Sequence, residues 1–449
     1  MSKFVREDGR VIYPQTSLTR EQKEAVGLLS IGTFLEYFDL MLYVHMAVLL
    51  NELFFPKTDP HTASLLSALG FCSTFVFRPI GAWFFGWVGD TVGRKTTVVI
   101  TTFLMAFSCL IMFSLPTYAQ IGITASVLIT ICRIAQGMSS LGEVVGAELY
   151  LTETTSPPLQ NPIVASISIF ADLGATFALG VATLVTSYVF NWRLAFLFGA
   201  MVALAGAVAR TRLRETPEFA DATKKLVNKL KAFGLEKDDI TNKEILDEKV
   251  NIKTILAYSA IHSTGPIDFY FVYIYNAGTL KEVFKYTADQ IIGHNLILAI
   301  GYLLTGIVYT YLSYKIDPLE ISRKRLIVFS TIILFFPYLL NNIQSSFHLL
   351  LLQLFVVIFG PRVFPAAAIF YKQFPIFKRF RCTSLAFAII RAIMFIMTSF
   401  GLVYLTEYFG HWGILMLFIP FLISYGVGLQ YFTRLRSIKD DYVNGVIVN

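Results

Sequence analysis

Apolar residues along this chain gather in runs of roughly 20, the length of helix that crosses ~30 Å of hydrocarbon. The runs fall at about 25–50, 63–88, 96–115, 121–150, 161–189, 192–211, 253–278, 288–314, 325–341, 347–371, 382–406 and 412–432. This pattern predicts an all-α integral membrane protein of twelve transmembrane helices. One long polar segment, 210–253, mixes Lys with Asp and Glu around a short amphipathic run from Phe219 to Phe233, and it parts the twelve spans into two groups of six. The expected organisation is an N-terminal segment 1–24, a six-helix bundle 25–211, a linker 212–252, a second bundle 253–432 and a tail 433–449 without heptads. Met1–Lys23 is polar and holds no cleavable signal, so the first span is expected to act as its own insertion signal.

Composition agrees with the pattern. Hydrophobic residues make up 55% of the 449 and charged residues only 15%, where a soluble protein carries about a quarter charged. The cationic residues are placed unevenly: 29 of the 37 Lys and Arg lie in the N-terminal segment, the loops after even-numbered spans and the tail. Because Lys and Arg favour cytoplasmic loops, both termini and 210–253 are expected to be cytoplasmic, with the chain in the cell (inner) membrane. The net charge of +7 then reflects topology, not nucleic-acid binding. The four cysteines, Cys72, Cys109, Cys132 and Cys382, show no metal-ligand or redox spacing, and neither a metal nor a cofactor is expected.

Candidate chemistry lies where charges interrupt the apolar runs. An ionised side chain in hydrocarbon costs at least ~2.5–3.5 kcal/mol, so such residues face a partner or a wet cavity. In span four, RIAQGMSSLGEVVGAELYLTE, the residues Gln136, Ser140, Glu143 and Ala147 form one helical stripe with Arg133 beside it. In span one, Glu36, Asp39 and Tyr43 share a face. A structural ion pair with Arg133 and a solute or proton pathway are both open readings, and the pathway is favoured because charges this deep are functional by default. Span seven adds His262, Gly265-Pro266 and Asp268, span ten Pro361-Arg362 and Pro365, and span eleven Arg391; the Gly and Pro predict broken helices that line a cavity. Asp172 and His262 are read first as satisfied polar core residues.

The second span ends in RPIGAWFFGWVGDTVGRK before a short loop. Here the chain resembles the major facilitator superfamily, whose loop between helices two and three reads G-x-x-x-D-x-x-G-R-[RK]; Gly86, Asp90, Gly93, Arg94 and Lys95 match it in full. Gly32, Glu36, Asp39 and Tyr43, Arg78-Pro79 with Gly81, R-x-x-Q-G ending in G-E, Trp192-Arg193, and Arg214-Glu215-Thr216-Pro217 with Phe219 narrow the resemblance to the metabolite:proton symporter family. That family includes proline/betaine, 2-oxoglutarate, citrate and shikimate carriers. Departures are Leu141, Thr33 and the extra acid Glu148, and the loop after span eight keeps only Asp317 and Arg323-Lys324 of the motif.

The resemblance implies two pseudo-symmetric six-helix halves that open a central site to each side in turn, with spans one, four, seven and ten lining it. Glu36, Asp39, Tyr43, Arg133, Gln136, Glu143, Asp268 and Arg362 fall on those four spans and are the expected substrate and proton pathway. Gly86, Asp90, Gly93, Arg94, Lys95 and Glu153 are the expected gating loop. The implied function is proton-coupled symport. Six intramembrane acids, Glu36, Asp39, Glu143, Glu148, Asp172 and Asp268, against four arginines favour a zwitterion of the proline or betaine kind over a polyanion. A symporter of an organic acid such as 2-oxoglutarate, citrate or shikimate is the alternative, and a transporter-derived membrane sensor is the alternative of another class. No nucleotide loop, nucleophile elbow or metal cluster points to an enzyme. The partners expected are a small polar solute, a proton and the bilayer, with no nucleic acid and no obligatory protein.

Overall fold

In the computed structural model of the chain, residues 15–56, 77–186, 191–211 and 249–447 are described, together with 4–5, 11–12, 75 and 224. The linker expected at 212–252 therefore lies almost wholly outside the described residues. Among the described residues the chain is helical apart from the two-residue strands Phe4–Val5 and Val11–Ile12, which pair antiparallel. Each of the twelve expected spans holds helix, and among the described residues seven helices are long and apolar enough to cross a membrane.

Span one is the helix Arg20–Phe54, span three Arg94–Ser114, span four Ile123–Thr154, span five Gln160–Thr186 and span six Arg193–Arg210; of span two, Arg78–Thr91 is described. Large apolar side chains such as Trp83, Trp87, Phe107, Ile131 and Leu204 stand exposed on these helices. In water they would be a liability, but in lipid the backbone needs only its own helical hydrogen bonds and apolar faces can point outward. Inside the half, small residues set the packing. Gly174 of span five lies on the Phe34 carbonyl of span one, and Gly81 of span two on the Met138 carbonyl of span four, so a Cβ at either would strike backbone.

The second half is more broken. Span seven runs Ile252–His262, kinks at Ser263, continues as Thr264–Tyr270, widens into a π turn at Phe271–Tyr275 and ends in Asn276–Glu282. Span eight is Ala288–Lys315, opened by a Thr287/Gln290 capping box. Span nine is Pro318–Ile333 followed by Phe336–Asn341, capped by the Asp317 side chain on the Leu319 N–H. Span ten ends at Gly360, leaves the helical path through Pro361 and Pro365, and resumes at Ala367–Tyr371. Spans eleven and twelve are Ile376–Phe409 and Gly413–Ile447, the latter extending through most of the tail.

The pairing of helices repeats. Spans one and five, and three and six, pack together in the first half, as do seven and eleven, and nine and twelve, in the second. The halves meet where span two packs on span eleven and span five on span eight. This exchange of equivalent partners is what an internal two-fold repeat produces.

Candidate functional site

Three layers of polar residues are built into this frame. The first lies within the N-terminal half. Arg133 Nη1 of span four donates to Asp39 Oδ2 of span one at 3.0 Å and to Gln136 Oε1 at 3.0 Å, while Arg78 of span two faces Glu36 at 3.7 Å. All five side chains are buried. Helical spacing puts Glu36 and Asp39 one turn apart, so one helix presents two acids to guanidinium groups on two others. A planar guanidinium tied this way fixes the angle between helices.

The second layer is a cavity of about 200 Å³ between the halves. Spans one, four and five supply Tyr37, Glu148 and Asp172; spans seven, eight, ten and eleven supply His262, Asp268, Tyr302, Arg362 and Arg391. Arg362 stacks over the Tyr302 ring at 3.9 Å and stands 3.8 Å from Asp172 across the cavity, linking the halves. Asp268 is 3% exposed, yet neither of its oxygens meets a hydrogen-bond donor among the described residues. The break at Ser263 explains its position. Thr264 anchors the restarted helix by donating to the Pro361 carbonyl at 2.9 Å, which turns Asp268 toward Gly360, where a Cβ would come within 2.8 Å of the carboxylate. Arg391 lies over the Phe387 ring at 4.9 Å.

The third layer closes one end of the cavity. Arg94 donates to Asp90 at 2.7 Å and to the Gly89 carbonyl, faces Glu153 at 3.4 Å, and crosses to the other half to reach the Ile376 carbonyl at 2.7 Å. Arg379 returns the tie by donating to Glu153 at 3.1 Å. Asp90 accepts the Phe380 and Arg381 backbone N–H groups at 3.1 and 2.8 Å, near the N-terminal end of the span-eleven helix, where its dipole favours an anion. Asp90 lies in the last turn of the Arg78–Thr91 helix, beyond the apolar run that ends at 88; burial pushes its carboxyl up to about 6, against the pull of the Arg94 guanidinium. The glycines make the approach possible. A Cβ on Gly86 would stand 2.7 Å from Arg381 Cα, and the Phe380 ring fills the space beside Gly89 and Gly146. Gly93 caps the span-three helix at φ 139°, a conformation that side chains resist.

The residues singled out from sequence are thus divided. Asp268 and Arg362 line the cavity, whereas Glu36, Asp39, Arg133 and Gln136 form the buried pairs of the first layer and are not among its lining residues. Gly86, Asp90, Arg94 and Glu153 meet in the latch, Gly93 shapes its turn, and Lys95 is half-buried beside it. The side chains of Tyr43 and Glu143 lie outside the described residues. The cavity also takes in Glu148, Asp172, His262 and Arg391, which carry the same signal as the others, an ionisable group inside an apolar run. Arg325, counted by sequence with the loop before span nine, is buried over the Tyr309 ring and donates to the Gly360 carbonyl.

Comparison with known proteins agrees with this architecture. The family profile described as sugar (and other) transporter matches residues 26–316. The chain is 27% identical over 321 residues, 70% of this chain and 63% of the relative, to a proline/betaine transporter of Salmonella typhimurium. It is 38% identical over 203 residues, 43% of this chain and 46% of the relative, to an inner membrane metabolite transport protein of Escherichia coli. The matched regions span less than two thirds of the length of these relatives. Among solved structures, a proton:xylose symporter of the major facilitator superfamily superposes with a TM-score of 0.72 at 14% identity, covering 92% of this chain and 95% of that one. A human organic anion transporter superposes at 0.66 and 13% identity, covering 93% and 99%. Identities this low speak for the fold alone. The chain belongs to the sugar (and other) transporter family and is a multi-pass membrane protein of the major facilitator fold.

Proposed function

We propose that this chain is a secondary active transporter that carries a small zwitterionic solute, of the proline or glycine betaine kind, together with a proton. The observation that carries the reading is the presence in one cavity, among aromatic rings, of the Arg362 and Arg391 guanidinium groups and the Asp268 carboxylate, which meets no hydrogen-bond donor among the described residues. The solute's carboxylate would set on a guanidinium, and its cationic nitrogen on Asp268 and the faces of Phe269, Tyr273 and Tyr37. The cavity volume is well under the ~300–1,000 Å³ of sites for drug-sized ligands, which suits a solute of this size. The proline/betaine relative supports the same class. The runner-up, an organic acid, is favoured by Arg325 standing as a third guanidinium near Arg362 and Phe364.

In this reading the Lys and Arg placement puts both termini and 212–252 in the cytoplasm of a cell with an inner membrane, so the latch is the cytoplasmic gate. The halves 25–211 and 253–432 rock about the cavity, and no obligatory protein partner is needed. The pairs Glu36–Arg78 and Asp39–Arg133 tie the helices beside the pathway, and Glu143 remains a candidate within it. The test is uptake of labelled proline and labelled glycine betaine into proteoliposomes under an imposed pH gradient, with unlabelled solutes as competitors. Asp268→Asn should weaken proline, whose ammonium can donate to the carboxylate, more than betaine, whose quaternary nitrogen cannot. Selective competition by citrate or 2-oxoglutarate alone overturns the zwitterion.

A further inference from the structure

Ion pairing divides the buried carboxylates among the described residues, and Asp268 and Glu148 stand apart from those that face a guanidinium. Glu36, Asp39, Asp90, Glu153 and Asp172 each face a guanidinium. Glu148 lines the cavity and is buried, but among the described residues it forms no ion pair. Its hydrogen-bond donor is the hydroxyl of Tyr371, and that residue belongs to the other half. A hydroxyl offsets only part of the cost of removing a carboxylate from water, whereas a carboxylic acid accepts the same hydrogen bond on its carbonyl oxygen without that cost.

The location gives this contact a use. Glu148 lies five residues before Glu153 on one helix, about 7.5 Å along its axis, and Tyr371 precedes Ile376 by the same number of residues. The pair therefore occupies the layer between cavity and latch. Lys372 crosses the same layer to donate to Gln160 at 2.6 Å, and Tyr258, Tyr371, Phe374 and Phe380 fill the remaining space with rings. The groups that face Glu148 from the packed elements are Tyr371 directly, Tyr258 and His262 behind it, and Arg391 across the cavity. Opening the latched end must separate Glu148 from Tyr371, because they ride on different halves, and must let water reach the carboxyl.

We propose that Glu148 is a proton-carrying residue of this transporter, loaded while Tyr371 and the latch hold the end shut and discharged when that end opens and water replaces the Tyr371 hydroxyl. The step is a simple proton transfer: the O–H bond of the Glu148 acid breaks, its electron pair stays on the carboxylate, and the proton passes to water on the latched side. Tyr371 acts as a positioning residue. It couples the state of the gate to the state of the acid. The proposal rests on the proton-coupled reading above and assigns its carrier to a residue by which this chain departs from the family pattern.

The test separates the two. Full-length protein with Cys72, Cys109 and Cys132 replaced by Ala keeps Cys382, which lies beside the latch on span eleven and reports opening by its rate of reaction with a maleimide. That rate is measured from pH 5.5 to 8.5 in the parent and in Glu148→Gln, and the two are divided at each pH. Thiolate formation and the titration of Asp90 occur in both proteins and cancel in the ratio. The expected ratio rises at least five-fold with pH, and Glu148→Asp restores the parent's profile. A ratio that stays flat, or a Gln variant that opens more readily than the parent at high pH, overturns the proposal. Accumulation of labelled proline and betaine is followed in parallel. If the parent shows no gradient-driven uptake of either, the symport reading fails, while the labelling ratio still decides whether Glu148 titrates with the gate.

Discussion

The loops after spans two and eight occupy corresponding places in the two halves, yet they are built on opposite electrostatic terms. In the first, the Asp90 and Arg94 side chains are 5% and 0% exposed and are tied to the other half through Ile376, Phe380 and Arg381. In the second, Lys324 and Glu320 pair at 2.8 Å with 67% and 51% of their side chains in solvent, and Asp317 pairs with Arg436 of its own half at 2.7 Å. Burial raises the Asp90 carboxyl, whereas a hydrogen bond from Lys324 holds the Glu320 carboxyl below its ordinary value. In the proposed reading, a repeated fold does not repeat its gate. One loop carries contacts across the halves, which the proposed gating must break, and the other caps the start of a helix and pairs within its own half.

Arg94→Ala is the strongest way to break the comparison. It strips a buried guanidinium from Asp90, Glu153 and a carbonyl of the opposite half, and removing one member of a buried pair costs about 3–5 kcal/mol. The latch should fall open, seen as Cys382 labelling accelerated by two orders of magnitude or more with concentrative uptake lost. Next comes Gly86→Val. Its branched side chain would collide with the Arg381 backbone, and overpacking of this kind costs about 1–3 kcal/mol of closure, read as labelling faster by roughly ten-fold or more, while the N-terminal half keeps its thermal stability. Unchanged labelling would mean that the halves do not approach here during the cycle.

Asp90 sharpens the comparison through pH. An acid whose pKa stands near 6 in the closed latch and returns toward ~3.9 in water binds its proton more tightly in the closed form. Lowering the pH from 7 to 5 therefore favours closure. Asp90→Asn should lose this response and cut the transport rate several-fold with little change in solute affinity; normal rate with lost binding would contradict it. The smallest effect belongs to the second loop. Asp317→Asn removes a half-exposed ion pair of about 0–1 kcal/mol and replaces one good helix cap with another, so uptake should stay within two-fold of the parent. A loss as large as that of Arg94→Ala would erase the asymmetry.

The fold was legible because membrane helices announce themselves by length and composition, and the latch because its glycines, acid and arginine are fixed in spacing on one short loop. The cavity was harder to read. Asp39 and Asp268 look alike as acids in apolar runs, but Arg133 from the same half pairs with one, and a kink at Ser263 swings the other beside Gly360, where it meets no hydrogen-bond donor among the described residues. Which acid meets an arginine depends on packing between helices far apart in sequence, and helical spacing within one span cannot report it. Arg325 escaped notice for a different reason: it lies at the boundary of an apolar run, where snorkelling to the interface and burial among carbonyls leave the same mark on the sequence.

The thin seal around Phe380 has a consequence in volts. In the proposed cycle, opening the far end fills the cavity with water, so the membrane voltage no longer falls evenly over ~30 Å of protein. It falls across the packed layer between Glu148 and the latch, where the Phe380 ring seats on Gly89 and Gly146. A unit charge moving through that layer would collect most of the ~2.3 kcal/mol available per 100 mV, although it travels only a few residues' length of helix. The glycines packed on Phe380 are in that sense an insulator, and in the proposed cycle its thickness sets how steeply transport answers the membrane potential.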